Sequence, residues 1–161
     1  MGPQTITLRV EAAKLYSAII TNKNQMPTYC KLVNGEIKPP NGKPLQDFTT
    51  DVDLGDKISW QADAIASGEL GNDEPILELA ENYRVTIDSI AFQLVNGENN
   101  FFEGDPIVIF DPGNSGKITN QQMKSSGLVS GEIYTYTIDF SIIIPGYDKK
   151  SFFIDPKLQI K

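Results

Sequence analysis

The chain has 161 residues and a net charge of −7, from 14 basic and 21 acidic side chains, with no histidine and a single cysteine. That length buries a core without disulfides or metal. The composition excludes imidazole-based catalysis, the usual zinc sites and an internal disulfide. Residues 1–80 carry −4 and residues 81–161 carry −3, so neither half offers the cationic footprint that nucleic acids or anionic membranes require. The expectation is no nucleic-acid partner and no membrane partner.

In chain order, residues 5–10 alternate, with Ile6, Leu8 and Val10 on one face, and read as a first strand. No basic leader or apolar h-region precedes it, and no run approaches the roughly 20 apolar residues of a membrane span. The expected location is therefore cytoplasmic. A polar turn rich in Asn and Lys leads to a second strand at 28–33. Cys30 lies there as a small buried apolar residue, and its neighbour Lys31 points to the other face. A loop at 34–44 follows, then a strand at 48–54 carrying Asp51 and Asp53. Gly55 and Asp56 turn the chain into a strand at 57–62, with Ile58, Trp60 and Ala62 inward. Trp60 is expected in the core.

Residues 63–82 read as an inserted segment. Asn72 or Asp73 would cap a short helix with Pro75 in its first turn, and Ile76, Leu77 and Leu79 would form its apolar side. The strand at 83–95 changes phase. Tyr83, Val85 and Ile87 share one parity and Ile90, Phe92 and Leu94 the other, so a bulge near Asp88 and Ser89 is expected. A short strand at 106–110 precedes the long one at 131–144, where Tyr134, Tyr136, Ile138, Phe140 and Ile142 alternate with Thr135, Thr137, Asp139 and Ser141. Ile143 breaks that alternation and needs a cover. Strands at 151–154 and 157–160 end the chain around Asp155 and Pro156. Nineteen isoleucines against eight alanines fit a pleated surface. The fold expected is all-β, mainly antiparallel: a two-sheet β-sandwich, one domain over 1–161, with one short helix or helical turn in the inserted segment.

No constellation earns a catalytic, cofactor-binding or metal-binding assignment, and no cofactor is expected. The acids Asp51, Asp53 and Asp56, and Glu98, Glu103 and Asp105, read as solvated faces. Residues 111–122 follow an EF-hand count loosely, with Asp111 first. Gly113 and Gln122 stand where a side-chain ligand and a bidentate carboxylate belong. Residues 113–117 are two residues short of a phosphate loop, and Ile118 stands where its Ser or Thr belongs. Phe101 and Phe102 lie in a polar loop, where at least one is available to a partner.

Three segments carry a family likeness. They are the opening strand at Ile6, the Val52-Asp-Leu-Gly-Asp-Lys-Ile-Ser-Trp60 stretch, and Tyr134 to Phe140 followed by Phe152-Phe-Ile-Asp-Pro-Lys-Leu-Gln-Ile160. Together they resemble the bacterial inclusion-body proteins of the AidA and PixA type. The resemblance implies a β-sandwich, a bacterial source, no enzymatic activity and a protein that self-associates in the cytoplasm. The expected partner is a second copy, most simply in a homodimer. The alternative is a sandwich that binds a small molecule or glycan, assisted by calcium at Asp111.

Overall fold

In the computed structural model the described residues are 4–34, 49–53, 55–72, 74–79, 81–92, 107–109, 121–122, 131 and 133–160. They form two mixed sheets. The strands are β1 (Gln4–Glu11), β2 (Cys30–Asn34), β3 (Thr49–Val52), β4 (Lys57–Ile65), β5 (Arg84–Phe92), β6 (Ile107–Ile109), β7 (Gln121–Gln122), β8 (Ile133–Ile143), β9 (Lys150–Ile154) and β10 (Lys157–Ile160). The first sheet runs β2-β1-β4-β7. The second runs β3-β10-β8-β5-β6, with β9 also paired to β8.

The inward faces meet as the alternation requires. Ile6, Leu8 and Val10 of β1, Cys30 and Leu32 of β2, and Ile58 and Trp60 of β4 pack against Val85, Ile87, Ile90, Tyr136, Ile138, Phe140 and Ile142 of the second sheet. Trp60 is fully buried. Its ring meets Tyr136 edge-on at 5.8 Å between centroids, and its indole N–H donates to the Tyr136 hydroxyl over 3.2 Å. That bond pairs the polar ends of two of the largest buried side chains within the core.

The all-β sandwich agrees with the sequence, but two pairings are parallel rather than antiparallel. β1 runs parallel to β4, with Ile6 beside Trp60, and β10 runs parallel to β3. Alternation fixes which face a residue takes and says nothing about strand direction.

The bulge falls where the phase change put it. Ile87 pairs with Phe140 and Ser89 with Asp139, leaving Asp88 as the extra residue. The helix expected within residues 63–82 is absent among the described residues of that segment. The chain instead turns through Gly68 at φ +88° and returns antiparallel to the end of β4. Leu77 bridges Ile65 there, and the Ala66 and Glu78 N–H groups bond to the Ile76 and Ala64 carbonyls over 2.9 Å each. Ile76, Leu77 and Leu79, expected to form the apolar side of that helix, are exposed.

The helix lies elsewhere. Helix α1 (Ala12–Ser17) follows β1 directly, because the Ala-Ala-Lys-Leu run favours helix and Ala12 and Leu15, one turn apart, bury against the core. A 3-10 helix (Lys23–Thr28) places buried Met26 under β9 and β2. Ile143, which sequence leaves needing cover, is half-buried opposite Arg84.

Candidate interaction site

β9 and β10 form one interrupted strand along the edge of β8. Ile138 pairs with Ile154 and Ile142 with Lys150; the same register then carries Thr135 to Lys157 and Ile133 to Gln159. The break is Pro156, which has no N–H to give. Its carbonyl still accepts the Tyr136 N–H at 3.0 Å, and the Thr137 hydroxyl donates to Asp155 at 2.7 Å. Upstream, the turn from β8 to β9 has Pro145 and then Gly146 at φ +84°, closed by the Tyr147 N–H on the Ile144 carbonyl at 3.1 Å. A left-handed third residue after proline is what a type II turn demands.

This arrangement gives β9 one edge held by β8 and one edge that no described strand takes up. Because Tyr136 and Pro156 form a hydrogen-bonded pair, the alternation of an antiparallel ladder turns the N–H and C=O groups of Lys150, Phe152 and Ile154 toward β8. Those of Ser151 and Phe153 point away. β3 covers β10 from Lys157 onward, and no described strand pairs with the outer edge of β9. Ser151 and Phe153 are both exposed on it, the phenylalanine at 48%.

Beside β9 lies a cleft of about 490 Å³, walled by Ala18, Ile20, Thr21, Asn22, Met26 and residues 150–153. Gln25 shapes its far wall. Its carboxamide oxygen accepts from the Thr21 and Asn22 N–H groups at 2.6 and 3.0 Å, and its NH₂ donates to the Ile19 carbonyl at 3.1 Å. Lys150 ties the near wall to α1. Its ammonium bonds the Tyr16 carbonyl at 2.7 Å and sits 4.3 Å from that ring's centroid. The Tyr16 hydroxyl donates to the Asp148 carbonyl at 2.6 Å.

The residues singled out by sequence take structural places. Asp51 is exposed and Asp53 half-buried, whereas Asp56 is buried. The Asp56 carboxylate accepts the Asp53 N–H at 2.8 Å and closes the turn at Gly55, which has φ +82°. Burial pushes the Cys30 thiol well above its ordinary range, and the neighbouring Glu11 charge adds to the shift. Tyr136 is core, and its phenol is likewise raised by burial. Phe101, Phe102, Glu98, Glu103, Asp105 and residues 111–120 lie outside the described residues. Among the described residues no group of three acids or thiols is placed to hold a metal ion, and no helix is long and apolar enough to cross a membrane.

Two features have no forerunner in the sequence reading. Buried Glu11 accepts the Gly68 and Leu70 N–H groups at 3.0 and 3.1 Å and pairs with Lys14 at 3.3 Å, so one carboxylate anchors the 66–79 excursion. On the outer face of the second sheet, Asp88 accepts from the Thr86 and Ser141 hydroxyls and Asp139 from Ser89 at 3.0 Å. The alternating Thr and Ser of β8 were a signal for such a polar ladder.

No family model and no curated protein sequence matches the chain. Among solved structures it is similar to the crystal structure of an inclusion body protein, PixA, from Burkholderia cenocepacia. The identity is 9%, the match covers 99% of this chain and 94% of that one, and the TM-score is 0.37. The family named there is the one the three sequence segments resemble.

Proposed function

We propose that this chain is a non-enzymatic bacterial protein that works by associating with itself in the cytoplasm, in the manner of the inclusion-body proteins it resembles. The observation that carries this reading is the open edge of β9, where exposed Ser151 and Phe153 present backbone groups that no described strand takes up. An unblunted edge is a template for pairing with another chain, and a homodimer is the simplest closed way to use it. Light scattering over a concentration series tests it. A mass rising from 17.8 kDa toward twice that value is expected, and a mass that stays at one chain throughout removes the reading.

The cleft favours a second reading, a sandwich that binds a small molecule. Its volume is that of ordinary ligand pockets, and Ile20, Met26, Phe152 and Phe153 provide apolar walls with Lys150 at hand. Calorimetric titration with apolar carboxylates and with sugars tests it. Saturable binding abolished by Met26→Trp supports a ligand, and silence with both classes removes it.

A further inference from the structure

We propose that β9 is itself the joint between two copies: it pairs antiparallel with β9 of a second chain, about a two-fold axis at Phe152, so that two second sheets become one. This rests on the self-association reading and assigns it a surface and a register.

The backbone sets the register. The groups that no described strand takes up belong to the odd-numbered residues, Ser151 and Phe153, since the even-numbered ones are turned to β8. Placing Ser151 opposite Phe153 of the second copy uses both residues of both chains and gives four backbone hydrogen bonds around the axis. In this register Lys149 stands opposite Asp155 of the second copy, and by symmetry the pairing occurs twice. Opposite charges directly across a ladder favour it. Sliding two residues one way sets Lys149 against Lys157, a like-charge pair, and β3 already holds that residue's edge. Sliding two residues the other way sets Lys149 against Phe153 and leaves no charge pair. The central register is thus the one with complementary charges.

The side chains agree. Phe153 is 48% exposed on a strand edge and gains cover from the incoming strand. The two Phe152 residues would meet at a non-hydrogen-bonded position, where side chains of facing residues approach most closely. Phe152 already leans on Phe140 at 5.8 Å, so the pairing extends an existing aromatic contact. The space beside the edge is the cleft, and Gln25 braces its far wall through bonds to the backbone of Ile19, Thr21 and Asn22.

Among the described residues nothing bonds the Ser151 and Phe153 N–H groups, so proline at either position removes the intermolecular donor and no described bond within the chain. In sedimentation velocity on the full chain, Ser151→Pro and Phe153→Pro are expected to sediment as single chains at concentrations where the wild type is a dimer, with unchanged far-UV circular dichroism. Phe152→Cys supplies an independent measure. Cys30 is buried, so oxidation is expected to link two copies through residue 152, giving a doubled mass on non-reducing gels. A wild-type dimer that survives both proline changes, with no cross-link at 152, overturns the joint and leaves self-association standing through another surface. A wild type that stays a single chain at every concentration overturns both.

Discussion

Trp60 shows what one side chain carries. It is fully buried at the meeting of the two sheets and bonded to Tyr136. Trp60→Ala empties that place and removes the indole donor from the Tyr136 hydroxyl, which should cost about 3–5 kcal/mol in urea unfolding; a loss below about 1 kcal/mol would put Trp60 outside the load of the core. Cys30 is the converse case, a potentially reactive group made inert. Burial raises its pKa, the Glu11 charge raises it further, and only the thiolate reacts. Native protein should therefore leave a disulfide reagent unreacted at neutral pH and release one equivalent of thiol upon unfolding. Asp63 carries a pH dependence. Desolvation raises its pKa, and Arg9, its neighbour across the β1–β4 ladder, only partly offsets this. The native state then holds the proton more tightly than the unfolded chain. Stability falls as pH rises from the ordinary carboxylate pKa through the raised one, and is fully free of this cost below both. Asp63→Asn removes the titration. Its stability relative to the wild type should be higher at pH 7 than at pH 3, measured by urea unfolding at both; a difference independent of pH would show that the carboxyl does not titrate abnormally.

At the scale of elements, the bulge in β5 decides how the strand keeps both halves buried. Val85 and Ile87 face inward, Asp88 takes up the extra position, and Ile90 faces inward again. Deleting Asp88 leaves those three residues on the inner face, because the pairs on either side of it close into a regular ladder. Deleting Thr86 instead turns Ile87 outward. The Asp88 deletion should fold, losing about 1–3 kcal/mol mainly from the buried Thr86 hydroxyl whose carboxylate acceptor it removes, since Ser141 keeps the Ser151 hydroxyl at 3.1 Å, whereas the Thr86 deletion should not fold. Circular dichroism with thermal melts separates the two outcomes, and a folded Thr86 deletion would refute the account. The phase change in β5, the inward rows of β1, β4 and β8, and the place of Trp60 were legible because period-2 alternation reports faces directly. The inserted segment was not. Ile76, Leu77 and Leu79 have helical spacing, but Gly68 takes a left-handed turn, and backbone bonds to the end of β4 with the Glu11 carboxylate hold the segment extended. The helix at Ala12 escaped notice because six residues are too few for periodicity, although Ala-Ala-Lys-Leu was a propensity signal. The open edge of β9 was hidden for a different reason. That Pro156 interrupts a strand is readable, but which edge a neighbour leaves uncovered depends on β3, more than a hundred residues away.

For the whole molecule, charge and assembly pull against each other. Each copy carries −7, so two copies repel at long range. The proposed joint is made of uncharged backbone bonds, aromatic contact and two Lys149–Asp155 pairs. Salt acts on these unequally. Screening lengths shrink from about 30 Å at about 0.01 M to about 10 Å at about 0.1 M. Repulsion between charges spread over two whole chains acts across distances of that order and is cut back. The two charge pairs act within a few ångströms, well inside either length, and lose little; backbone bonds and apolar contact lose nothing to screening. Raising salt over that range should therefore tighten the dimer, and so should lowering the pH toward the isoelectric point near 4.5. Sedimentation velocity at the two salt concentrations and neutral pH measures it. A dimer that weakens steadily with added salt would mean that charge attraction holds the copies together, which the β9 joint, with two short pairs against a repulsion of seven charges on seven, does not provide.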